Sequence, residues 1–129
     1  MKIIVLIARL LLGLMFLVFG LNGFLHFIPQ PPIEGTAGAF IGALVVSHYS
    51  YLVFGVQLIA GVLLLTNQFV PLAVALLAPM LANILTFHLA MQPQGLPPGI
   101  FATLLWAVIA WAYRGYFASL FTQKATLSV

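Results

Sequence analysis

The stretch Ile3-Ile-Val-Leu-Ile-Ala-Arg-Leu-Leu-Leu-Gly-Leu-Met-Phe-Leu-Val-Phe-Gly-Leu-Asn-Gly-Phe-Leu-His-Phe-Ile28 decides the fold. Its only ionisable side chains are Arg9 and His26. A helix crosses a hydrocarbon layer with roughly 20 apolar residues, and this run exceeds that. It is also far longer than the roughly 7–15 apolar residues of a signal peptide's apolar region, and no small-x-small cleavage site directly follows it. We therefore expect a retained transmembrane helix over about 3–28, with Lys2 on its flank.

Working outward, Pro29, Pro31 and Pro32 end the run, because proline neither donates to a helix ladder nor lets its predecessor stay helical. The next apolar segment, about 36–46, is too short to cross. It carries Gly38-x-x-x-Gly42 and Ala39-x-x-x-Ala43, a spacing that lets helices approach closely. We expect a short helix there, at the interface or tucked into the bundle. The cluster Ser47-His48-Tyr49-Ser50-Tyr51 suits the headgroup level. A second span follows at about 51–65, then a tight turn at Thr66-Asn67-Gln68. A third runs over about 70–91, with Pro71 in its first turn and Pro79 as an expected kink. The loop Gln92-Pro-Gln-Gly-Leu-Pro-Pro98 leads to a fourth at about 99–117. The pattern predicts an all-α integral membrane protein: a four-transmembrane-helix bundle with a short extra helix between the first two spans, in a single membrane domain over 1–129.

Composition agrees with that fold and excludes others. Of 129 residues, 64% are hydrophobic and 4% charged, whereas a soluble domain carries about 25% charged residues. The absence of cysteine excludes disulfides, thiol catalysis and Cys-ligated metal or iron–sulfur sites built by this chain. The net charge of +3 does not point to nucleic acid, since the basic residues lie near the two termini and are expected to form no patch or stripe. They serve instead as topology signals. With four spans and cytoplasmic termini, Lys2, Arg9, Arg114 and Lys124 all fall on the inner side, as the positive-inside rule requires.

Polar side chains within a membrane are costly and commonly functional. Asn22 and His26, four apart, share a helix face. Gln57, Asn83 and His88 fall in the same outer half, with Glu34 and His48 in the outer loop region. This asymmetry suggests a polar pocket toward the outer face, with Asn22, His26, Gln57, Asn83 and His88 as candidates. The structural alternative is that the amides bond helices together, at about 0.6–2 kcal/mol each, and that the histidines sit in the headgroup layer. Asn83 and His88 lie about 140° apart on an ideal helix, so they share a face only if the Pro79 kink or local unwinding helps. His26 and His88 are the one pair at matching depth for axial ligation of a haem; helix-end histidines seldom do this, and the zinc or copper alternative from His26, His48 and His88 has no better spacing. We assign no metal. Arg9 lies about two turns into the first span with no acidic partner at its depth. It either snorkels to phosphates or contacts a lipid headgroup, a quinone carbonyl or a partner's carboxylate. Gly13 and Gly20 share its side of the helix, a strip expected to pack against another helix.

The segments Ala8-Arg-Leu-Leu-Leu-Gly-Leu14, Phe19-Gly-Leu-Asn-Gly-Phe-Leu-His-Phe-Ile-Pro29, Gln57-Leu-Ile-Ala-Gly-Val-Leu-Leu-Leu65, Pro71-Leu-Ala and Asn83-Ile-Leu-Thr-Phe-His88, in this order, resemble the DoxX family of small bacterial membrane proteins. The resemblance implies a four-helix bundle in the bacterial plasma membrane. Some relatives are tied to redox work, including a quinone-linked thiosulfate-oxidising complex and an oxidative-stress complex. Relatives often carry glutamate where this chain has Gln57, which removes a titrating group from that position. Three functions follow. The first is a membrane subunit of a redox or quinone-linked assembly, with the electron carrier bound or supplied by a partner. The second is a non-catalytic scaffold or assembly factor, and the third a small-molecule or lipid transporter. Expected partners are membrane lipid and a partner protein or further copies of the chain. A quinone is the cofactor class the resemblance brings forward, and any catalysis requires a partner or bound cofactor.

Overall fold

The computed structural model describes residues 1–128. Five α-helices follow one another: α1 (Lys2–Leu25), α2 (Gly35–Val46), α3 (Ser50–Thr66), α4 (Val70–Met91) and α5 (Leu96–Ala112), with 3₁₀ segments at Pro93–Gly95 and Arg114–Phe121. There is no strand among the described residues. The protein is an all-α membrane bundle.

Four helices close a ring in which α1 packs on α3, α3 on α4, α4 on α5 and α5 on α1. Its core is apolar: Leu12, Leu64, Leu77 and Ile109 are fully buried, joined by Ala8, Phe16, Ala60, Ala73, Val74 and Leu81. The outward faces remain apolar too, with Ile3, Leu14, Leu52, Ile59, Leu72, Leu104 and Trp111 exposed. A helix hydrophobic all round belongs in a membrane, where lipid covers that surface. Trp106 ties α5 to α4 by donating its indole N–H to the Val74 carbonyl at 2.9 Å.

The tightest seam joins α1 to α3, and glycine makes it. A methyl group added at Gly20 would lie 2.8 Å from the Leu58 nitrogen, and one at Gly61 would lie 2.6 Å from the Leu17 nitrogen. Gly13 meets Leu64 and Leu65, and Gly23 lies under the Phe54 ring. The strip of Arg9, Gly13 and Gly20 thus faces α3, as its spacing suggests.

The structure moves three helix ends. α1 stops at Leu25 rather than at Ile28, because His26 turns left-handed (φ 52°) and returns its N–H to the Asn22 carbonyl at 2.8 Å. The Asn22 side chain then accepts the Ile28 N–H at 2.8 Å, so capping ends the helix before the prolines do. α5 begins at Leu96, three residues before Gly99, since Pro97 and Pro98 are accommodated in the first turn. It ends at Ala112 rather than Phe117, where Arg114 donates to the Trp111 carbonyl at 2.8 Å and the chain tightens into 3₁₀ turns. α4 stays helical through Pro79.

The short helix α2 stands outside the ring against α4, with the Phe40 and Phe87 rings 5.6 Å apart. It meets α3 at an 87° bend. His48, in the intervening turn, has a φ of 63°. α1, α4 and the stretch Pro93–Ala112 are each long and apolar enough to cross a membrane; the bent pair α2–α3 makes a fourth crossing when taken together.

Candidate functional site

Polar groups gather at the two ends of the bundle, and the ends differ. At the end holding the long Pro-rich loop, Asn22 is half-buried and its side-chain oxygen closes the α1 terminus. His26 is exposed in its left-handed turn. His88 is half-buried, its Nδ1 3.2 Å from the Gln92 carbonyl and its ring edge-on to Phe87. It packs against Gly95, where a side chain would collide with its imidazole. His48 stacks on Tyr51 at 5.4 Å, and Tyr51 on Phe24 at 5.5 Å, so an aromatic ladder joins the α3 entrance to α1.

Two of the sequence candidates sit deeper. Gln57 is only 6% exposed and its amide donates to the Met80 sulfur at 3.6 Å. Thioether sulfur is a weak acceptor, so this bond joins α3 to α4 modestly. Asn83 is exposed on α4, and its amide donates to the Pro79 carbonyl at 2.8 Å. Asn22, Gln57, Asn83 and His88 therefore bond to different neighbours, and none of the five candidates, His26 included, lines the two cavities at the bundle ends. The cavity at this end, of about 320 Å³, lies between Pro31–Glu34, Ala37 and the residues Met91, Gln92 and Gln94. No three of the histidine and acidic side chains come together as a metal set among the described residues.

The opposite end holds the larger cavity, about 620 Å³ and open to the outside. Arg9 is 9% exposed and donates to the Leu64 carbonyl in the last turn of α3. A cation at a helix C-terminus is favoured by the partial negative charge of the unpaired carbonyls there. Arg9 shares the cavity wall with Lys2, Val5 and Leu6 of α1, Asn67 of the α3–α4 turn, and Trp111, Tyr113 and Arg114 at the α5 end. The Arg114 guanidinium lies 4.3 Å from the Trp111 ring centroid, a cation–π arrangement. The basic residues, scattered along the sequence, do form a patch in space: three of the four line one cavity because α1 and α5 are neighbours. Sequence reasoning named Arg9 but missed Lys2, Arg114, Trp111 and Tyr113 as its companions. The available signal was the Trp111-Ala-Tyr-Arg114 cluster, interfacial aromatics beside a charge, at the same predicted membrane face as Lys2.

A ring of lipid-compatible helices with its charges at the ends defines a multi-pass helical membrane protein. More narrowly, the chain belongs to the DoxX family, whose model matches residues 4–90, more than half of the 129. That match runs from the start of α1 to the last turn of α4 and takes in Arg9, Asn22, His26, Gln57, Asn83 and His88. No curated protein and no solved structure matches the chain.

Proposed function

We propose that this DoxX-family protein is a membrane subunit that docks a partner protein within a redox or quinone-linked assembly of the bacterial inner membrane. In this reading the chain anchors and positions, and the electron carrier belongs to the partner or is bound between the two. The observation that carries docking is α2. It is apolar apart from Thr36, it buries only Ala37, and a methyl group added at Gly42 meets nothing within 4 Å. Its small-residue face of Ala39, Gly42 and Ala43 is exposed, which suits close approach of another helix. The redox character of the assembly is supported by the family relation. The orientation with cytoplasmic termini is supported by Lys2, Arg9 and Arg114 at one end and Glu34 at the other.

The test is gentle extraction with native lipid, followed by native mass spectrometry and optical spectroscopy of the intact assembly. A stoichiometric partner protein, lost on Gly42→Leu or Ala43→Leu while the helical content holds, supports docking through α2. A quinone or a redox-active partner in the same complex supports the redox assignment. A chain recovered alone with phospholipid, unchanged by either substitution, would rule out docking through α2.

A further inference from the structure

We propose that the cavity around Arg9 binds the phosphate group of an anionic phospholipid, with Arg9 and Arg114 as the recognising groups. This inference does not rest on the docking reading, because α2 and this cavity occupy opposite ends of the bundle.

Arg9 carries the argument. A guanidinium has five N–H donors in a planar fork, and among the described residues the only bond Arg9 makes is to the Leu64 carbonyl. Among the described residues no buried side-chain nitrogen or oxygen is left without a partner. The remaining N–H groups of Arg9 are therefore not sealed against protein, and they open onto the cavity it lines. A largely buried cation is expensive unless an anion compensates it. The one acidic side chain of the sequence, Glu34, lines the cavity at the other end. Lys2 and Arg114 add like charge at the same wall, which raises the demand for an anion rather than meeting it.

The surroundings select the class of anion. Guanidinium forks match phosphate oxygens in a paired geometry that a simple halide does not exploit. Trp111 and Tyr113, rings that favour the headgroup level, flank the charges. Val5 and Leu6 continue the wall with apolar surface, where acyl chains run. Basic pockets between transmembrane helices commonly hold anionic headgroups in this way.

The experiment uses the full chain in nanodiscs of phosphatidylcholine, with and without phosphatidylglycerol, and counts lipids retained in native mass spectrometry. Phosphatidylglycerol should be retained preferentially, and each arginine should contribute about fivefold to that preference. Arg114→Gln and Arg9→Gln should each weaken it about fivefold, and Arg9→Lys should fall between the native protein and Arg9→Gln. Lys124→Gln, outside the cavity wall, should leave it unchanged. If Arg9→Gln does not fold, Arg9→Lys and Arg114→Gln decide alone. A thermal shift produced by inorganic phosphate in pure phosphatidylcholine, lost in the arginine variants, would retain the phosphate chemistry and assign its source to a soluble ion. Equal retention of both lipids with no response to phosphate would overturn the proposal. So would a phosphatidylglycerol preference undiminished in both Arg9→Lys and Arg114→Gln.

Discussion

The α1–α3 seam and the helix α2 use the same vocabulary to opposite ends. Both are apolar, and both set small residues on one helix face, four apart in α2 and seven apart at Gly13 and Gly20 in the seam. In the seam, Gly13 of α1 meets Gly61 of α3 and Gly20 meets Leu58 so closely that backbone meets backbone. In α2, Gly42 faces open space and only Ala37 is buried. Small residues permit close approach but do not create a partner. The seam is settled within the chain because an Arg9–Leu64 bond and the Leu12, Phe16, Ala60 and Leu64 core accompany its glycines. α2 has the permissive surface without that accompaniment.

The comparison breaks most visibly at Gly61. Gly61→Ala puts a methyl against the Leu17 nitrogen and the Gly13 carbonyl, so it should cost about 2–3 kcal/mol of bundle stability through forced helix separation. Reversible unfolding in bicelles measures it, and a loss under 0.5 kcal/mol would mean that the seam is looser than described. Arg9→Met should cost about 1–3 kcal/mol in the same assay, since it removes the donor from the Leu64 carbonyl. Outside the seam, Trp106→Phe loses the bond to Val74 and part of the ring packed against the core, and should cost about 1–2 kcal/mol. Gly42→Ala sharpens the contrast by changing sign. With nothing for its methyl to meet, it should be neutral or stabilise the isolated chain by about 0.5 kcal/mol through helix propensity. A clear destabilisation there would show that α2 is packed in the isolated protein after all.

Much of the fold was legible because the evidence is local. A run such as Ile3–Ile28 declares a membrane helix whatever its neighbours do, and the short apolar stretch before Tyr51 declares a helix too brief to cross alone. The helix ends were less legible. Asn22 and His26 were read for a pocket, whereas Asn22 caps the helix that His26 turns out of, a role set by backbone dihedrals. The right-angle bend between α2 and α3, which accompanies the left-handed His48, is invisible to hydropathy for the same reason. Spacing on one helix correctly put Arg9 with Gly13 and Gly20, since that needs only the 3.6-residue period. Depth alone grouped Asn22, Gln57 and Asn83, but it carries no information about direction around each helix, and they point to different neighbours. The basic cavity escaped because it depends on α1 and α5 lying side by side, which no local pattern reports.

The unequal lengths of the two most intimate helices have a consequence for the surrounding bilayer. α1 has 24 residues and α3 has 17, which at ~1.5 Å per residue is about 36 Å against about 26 Å. Locked together by glycine, they cannot slide to hide the difference. A hydrocarbon layer of about 30 Å meets one helix that is too long and one that is too short. The lipid must thin beside α3, or the pair must tilt, at a cost of a fraction of a kcal/mol per ångström. Thickening the bilayer should strain the protein first along the α3 flank, beneath the right-angle turn that carries α2, and thinning it should strain the longer α1 first.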